Sequence, residues 1–247
     1  MVARPDLHPD RAQDRDAMLE QQRAVLEAAS FANVGAVAAG ATTVAGVDQA
    51  FVDDEAVVSA AVAVRDGAVV ERTYAVEALE RPYVPGFLSF REGPAAIAAL
   101  TRLHDPIDAV LVDGNGRLHP RQAGLATHVG VVLDVPTVGV AKSLLCGRPV
   151  EATDGLSVGE AVSVVADDDV DAPPGSTIGA VVQTRRFEGS ARRVNPVYVS
   201  PGHRVGQTTA VDLLLEQCAG YKLPEPLRAA DTYADRVRDS VVQRPKQ

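Results

Sequence analysis

From Val44 to Val140 the chain alternates apolar runs and turn residues in an order that leaves few folds open. Three strand-like stretches come first, Val44 to Phe51, Ala56 to Arg65 and Ala68 to Val76, and Asp66-Gly67 between the last two is a strong signal for a two-residue hairpin. Together they read as an antiparallel meander. A proline-rich loop, RPYVPGF, then leads into a helix from about Glu92 to His104. A buried strand, Ala109 to Asp113, follows, with a helical stretch near Pro120 to Leu133 and a short strand from Pro136 to Val140. Three strands, a helix, a strand, a helix and a strand is the order expected of a mixed sheet flanked by helices.

The flanking regions add to that plan. A helix is expected from about Pro9 to Ala39, closed by Gly40, with further strands at Leu156 to Val165, Ile178 to Thr184 and Asn195 to Val199. Helices are expected at His203 to Ala219 and Pro226 to Ser240. With no repeat and no linker, residues 1–247 read as one α/β domain, comprising an N-terminal helical segment (1–39) and a C-terminal helix (226–240). The element order is that of the ribonuclease H-like fold, in which the first and fourth strands lie side by side. Asp48 in the first and Asp113 at the end of the fourth would then face each other, and Glu92, opening the intervening helix, would complete the cluster. Acids this close cannot all stay ionised without a cation, so their convergence implies a divalent metal site. Taken singly, Glu92 also suits a helix first turn and Asp113 an Asp-Gly turn, whereas Asp48 lies mid-strand in an apolar run.

Charge sets a second constraint. The net charge is −9, and only Lys142, Lys222 and Lys246 occur beside 21 arginines, a balance that suits work in concentrated salt. It also argues against nucleic-acid binding unless a local groove reverses it, for which Arg81, Arg91, Arg117, Arg121 and Arg204 are the candidates. No apolar run approaches the roughly 20 residues of a membrane span, and the charged start is no signal peptide, so a cytoplasmic location is expected. Cys146 and Cys218 are isolated and read as small apolar groups. GVAKS is no phosphate loop, because Ala141 stands where that loop needs glycine.

In order along the chain, VAGVDQAF, RPYVPGFLSFREGP, VDGNGRLHPRQAGLATHVG, PTVGVAKSLL, PVYVSPGHRVG and LPEPLRAAD resemble the motifs of the endonuclease V family, nucleases that recognise deaminated adenine. The match runs from about Val44 to Ala234, with mild departures at Gln49 and Asn115. The resemblance implies that Asp48 and Asp113 hold Mg²⁺, or Mn²⁺ in its place, and that Glu92 completes the site or positions the attacking water. It makes Lys142 a point charge on the scissile phosphate or leaving oxygen. Asp231 becomes a fourth catalytic acid, its plainer alternative being a solvated helix charge near Arg228. Pro82, Tyr83, Val84 and Pro85 would form a rigid wedge that replaces lost stacking, and Gly86, Leu88, Gly114 and His119 a pocket for the flipped base. The implied partner is DNA containing deoxyinosine, cut by a monomer at the second phosphodiester bond 3′ of the lesion to leave 3′-hydroxyl and 5′-phosphate ends. The alternatives are an endoribonuclease acting on inosine-containing RNA and a catalytically silent nucleic-acid-binding module. His128 reads as an ordinary helix histidine, and His203 as a helix cap or a phosphate contact.

Overall fold

A nine-stranded mixed sheet runs through the computed structural model, which describes residues 2–11, 14–34, 37, 40–185 and 194–243. The strands are β1 (Thr43–Val52), β2 (Ala56–Arg65), β3 (Ala68–Ala78), β4 (Ala109–Asp113), β5 (Thr137–Ala141), β6 (Arg148–Pro149), β7 (Ala161–Val165), β8 (Thr177–Val182) and β9 (Val197–His203). Their order across the sheet is β3-β2-β1-β4-β5-β9-β8-β7-β6. The β1–β2–β3 meander is antiparallel, and its second hairpin turns through Asp66 and Gly67, both at positive φ. β4 pairs parallel to both β1 and β5, and β9 runs antiparallel to β5. The expected mixed sheet flanked by helices, with the first and fourth strands adjacent, is therefore present.

Among the described residues, five α-helices cover the sheet: α1 (Arg15–Ala28), α2 (Leu88–Leu100), α3 (Leu125–Leu133), α4 (Gln207–Glu216) and α5 (Glu225–Val242). Strand alternation decides which side each covers. Ala45, Val47, Val110 and Val112 pack with Val25 of α1, Ile97 of α2 and Leu125 of α3. The alternate residues Val44, Leu111, Val138 and Val140 pack with Leu213 and Leu214 of α4 and Leu227 of α5. Here α5 sits directly on β1, because a Cβ on Gly46 would lie 2.2 Å from the backbone of Pro226. Gly46→Ala is accordingly expected to cost about 3 kcal/mol of stability by prising the helix off the sheet. Urea unfolding would read this directly, and an unchanged midpoint would mean that α5 slides freely on β1.

Several boundaries differ from expectation for identifiable reasons. The first helix does not run from Pro9 to Ala39: it begins where Asp14 accepts a hydrogen bond from the Ala17 N–H at 2.9 Å and ends at Ala28. Beyond it, Ser30 donates its N–H to His203 Nδ1 at 3.2 Å and accepts from the Arg204 N–H at 2.6 Å, while Asn33 holds both Gly206 and Thr209. These bonds strap the chain in a non-helical course across the β9–α4 turn. Residues 12–13, 35–36 and 38–39 of that expected helix lie outside the described residues. The second helix starts at Leu88 rather than Glu92, so Glu92 is its fifth residue and Pro94 lies inside it. The third starts at Leu125, not Pro120. His203 ends β9 and starts no helix; it is buried and bonded to Asp134 as well as Ser30. No described helix is long and apolar enough to cross a membrane.

Candidate active site

Register brings the acids together. Val47 of β1 lies beside Val112 of β4, so the next residues, Asp48 and Asp113, are neighbours, and Asp113 is level with Val140 of β5. Asp48, Asp113 and Lys142 share strand parity with Val44, Leu111 and Val140, so all three belong to the face that α5 covers. Lys142 Nζ donates to Asp113 Oδ2 at 2.5 Å. Burial works against the lysine's charge, but the bond to Asp113 and the negative fields of Asp113, Asp48 and Asp231 outweigh it and raise its pKa. Asp231, exposed on α5, thus reaches the same neighbourhood through Lys142.

Asp48 is 5% exposed and carries the strongest perturbation. Burial first, and then the charge of Asp113, push its carboxyl up to about 9, although the Gln49 N–H at 2.7 Å and Lys142 pull the other way. Glu92 approaches from α2; burial and, to a lesser degree, Asp113 raise it to about 7 against the opposing charge of Arg91. The residues present fit a hard divalent cation. Asp48 Oδ2 is buried without a donor, and it faces a second carboxylate that would otherwise repel it. No three His, Cys, Asp or Glu side chains among the described residues stand close enough to hold an ion together. Asp48 and Asp113 are the pair that would hold such an ion. Glu92 stands beside that pair, within the field of Asp113.

Beside the acids is a pocket of about 130 Å³. Its walls come from Tyr83, Gly86, Leu88 and Ser89 at the start of α2, from Asn115 and His119 after β4, and from Ser143 and Leu144 after β5. Gly86, Leu88 and His119 were expected there and Tyr83 in the wedge before it; Asn115 lines the pocket and Gly114, where a Cβ would meet Leu125, does not. His119 Nδ1 accepts the Arg121 N–H at 3.1 Å, so its proton is on Nε2, which donates to the Gly86 carbonyl at 3.1 Å. Burial, and then the Arg121 charge, depress His119 to about 3, which keeps it neutral. The same carbonyl accepts from Gln22 Nε2 and Arg121 Nη2, each at 2.8 Å. Gly86 has φ +77, and a Cβ there would meet Arg121 Nη2 at 2.9 Å, so only glycine suits this pinned turn. Pro82 to Pro85 project into solvent just before it, Tyr83 being 60% exposed.

The five arginines expected to line a groove are largely engaged within the protein. Arg91 bonds Asp54, Arg117 stacks on Phe31 and bonds Gln122, Arg121 bonds Gln22 and Gly86, and Arg204 bonds Asp134. From sequence no place at the site was expected for Ser89, Asn115 or Lys222. Lys222 donates to Asn195 Oδ1 at 2.6 Å, and burial and the nearby Lys142 charge lower its pKa. Its scarcity was the available signal, since two of the three lysines in the chain share one neighbourhood. His128 is wholly buried in α3, with Nε2 at 2.8 Å from the Leu7 carbonyl.

Comparison with known proteins bears on the whole chain. The family model for endonuclease V matches residues 27–232. The endonuclease V of Halobacterium salinarum is 51% identical over 258 aligned positions, spanning 94% of this chain and 98% of that one. In crystal structures, the endonuclease V of Streptomyces avermitilis is similar with a TM-score of 0.79 at 31% identity, covering 93% of this chain and 95% of that one. The Ciona intestinalis enzyme, in complex with a 24mer DNA containing an inosine followed by a ribo-adenosine, shares the fold with a TM-score of 0.73 at 22% identity, over 90% and 96% of the two chains.

Proposed function

This chain belongs to the endonuclease V family, and on that premise we propose that it is a metal-dependent endonuclease for deoxyinosine-containing DNA, cutting the second phosphodiester bond 3′ of the lesion. The observation that carries this reading is the juxtaposition of Asp48 and Asp113, with Lys142 on Asp113, beside a pocket whose walls continue directly from the strands that hold them. Asp48 and Asp113 would hold Mg²⁺ or Mn²⁺, which stabilises negative charge on the phosphate when bound.

The protein's own groups supply the rest. Glu92, raised to about 7, accepts a proton from the attacking water at neutral pH. The water oxygen bonds to phosphorus, the P–O3′ bond breaks, and the departing oxygen takes a proton from solvent to become a 3′-hydroxyl opposite a 5′-phosphate. Lys142 lies close enough to the acids to offset charge on that leaving oxygen, and Asp231 helps to keep it protonated. The exposed Pro82–Pro85 loop fills the gap left by a flipped base, which enters the adjacent pocket. We place the enzyme in the cytoplasm as a monomer.

The test is cleavage of a single deoxyinosine-containing strand beside an undamaged control, with Mg²⁺ or chelator, in low and molar salt. Metal-dependent nicking one nucleotide beyond the inosine is expected, and activity in molar salt would accord with the acidic surface. Cutting of inosine-containing RNA alone would reassign the substrate, and silence on both strands would leave a binding module.

A further inference from the structure

The loop that carries Pro82 to Pro85 has a second face. The Phe87 N–H donates to the Val84 carbonyl at 3.0 Å, and the Gly86 carbonyl is held by His119, Gln22 and Arg121, so the loop stands fixed at its base. Tyr83 and Gly86 line the pocket of about 130 Å³ beside the acids. Pro82, Val84 and Phe87 line a different cavity of about 260 Å³, which they share with Met18 of α1 and Phe90 of α2. No residue lines both, so the loop is the partition between the two.

This larger cavity joins apolar walls to positive charge. Met18 packs on the buried Phe87 and Phe90, and Val84, 45% exposed, continues their apolar surface to solvent. The charged residues that line it are Arg15, Arg81 and Arg91, with no Asp or Glu beside them, in a chain whose net charge is −9. Asp54 matches the charge of Arg91, whereas the exposed Arg15 has its guanidinium 5.8 Å from the centre of the Phe87 ring. A flat, weakly polar ring tethered to an anion suits such a lining, with the ring against methionine and aromatic side chains and the anion on guanidinium. A free phosphate would leave the apolar walls uncovered, and an acyl chain would leave the arginines unmet.

Resting on the reading of the site given above, we infer that this cavity is a second nucleotide site, which takes the thymine left opposite the lesion in a duplex. Deamination of adenine in an A·T pair leaves hypoxanthine facing thymine. Once the hypoxanthine has left the stack and the loop has filled its place, that thymine has neither a partner nor room between its neighbours. The strand to be cut runs over the acids, on the Tyr83 side of the loop. The complementary strand therefore lies across the loop, on the side of Pro82 and Val84. Seating the thymine there restores the apolar contact it lost, with Arg15 on its phosphate, and the rigid loop keeps the two members of the broken pair apart. A single strand has nothing to place in the cavity, so the site acts on duplex substrate alone.

The experiment uses the full chain and three substrates with one deoxyinosine each: a duplex with thymidine opposite, the same duplex with an abasic site opposite, and the single strand. Met18→Trp, which fills the cavity, is expected to lower kcat/KM about 10-fold on the thymidine duplex and to leave the abasic duplex and the single strand unchanged. Arg15→Glu, which acts on the phosphate, should weaken cleavage of both duplexes and spare the single strand. A Met18→Trp loss that is equal on the two duplexes, or absent from both, would overturn the inference, since the cavity would then hold no base. Arg15→Glu lies on the surface and keeps the test open should thermal unfolding show the tryptophan to be disruptive: an equal loss on duplex and single strand would overturn the inference by itself. Failure of the wild-type protein to cut the single strand at deoxyinosine is a different result, because it removes the parent reading before either variant is made.

Discussion

Asp48→Asn is expected to lower metal-dependent cleavage about 1,000-fold, equivalent to several kcal/mol of transition-state stabilisation, while making the metal-free protein more stable in alkaline solution. The two effects share one cause. The Asp48 carboxyl stands near 9 in the folded chain against an ordinary value of 3.8. Between those limits the folded state holds a proton that the unfolded state has released, so stability is greatest below the lower limit and declines as pH rises towards the upper. Glu92 adds a smaller decline between 4.5 and about 7. Asparagine removes the Asp48 part of this slope. A divalent cation opposes it by taking the place of the proton, so stabilisation of the wild-type protein by Mg²⁺ should increase with pH. Thermal unfolding from about pH 5 to pH 9, with and without Mg²⁺, measures both, alongside a cleavage assay. A slope that survives Asp48→Asn would assign the titration to another group, and surviving cleavage would move the ion elsewhere.

Lys142→Ala should reduce kcat about 100-fold with little change in KM, because the ammonium acts on charge that develops only as the bond breaks. Lys142→Arg should recover part of that loss. Guanidinium keeps the charge but presents it as a broad planar fork, whereas the contact with Asp113 is made by one compact donor. Substitution to alanine also takes the counter-charge from Asp113 and Asp48, so the apparent affinity for Mg²⁺ should change with kcat. Single-turnover cleavage across a Mg²⁺ titration separates the two: a defect that saturating metal fully repairs would make Lys142 a support for the acids and not a partner of the leaving oxygen.

The elements legible in the sequence were those governed by local chemistry. β2 was read as Ala56 to Arg65 and lies there, because its alternation is uninterrupted and Asp66-Gly67 closes it. The pairing of β1 with β4, and with it the meeting of Asp48 and Asp113, followed from element order. Long-range hydrogen bonds were not legible. Nothing between Ala29 and Val34 announces that Ser30 and Asn33 will be held by the β9–α4 turn, so the first helix was drawn too long. The start of α2 was drawn four residues late, which made Glu92 its first residue when it is its fifth. The pocket after β4, proposed above for the base, was legible only through the resemblance. Its unpartnered Ser89 and Asn115 are defined by what does not touch them, which no motif records.

The seating of α5 on β1 has a consequence for how the protein comes into being. Pro226 packs against Gly46, Leu227 and Ala230 close the sheet face that carries Asp48 and Asp113, and Asp231 reaches Lys142 from the same helix. Everything else at the site is translated far earlier, with β1 beginning at Thr43 and Lys142 following β5. A chain still emerging from the ribosome therefore has its acids without their cover. The candidate site is covered only when α5 has been synthesised and docked, so it takes shape well after the strands that carry its acids.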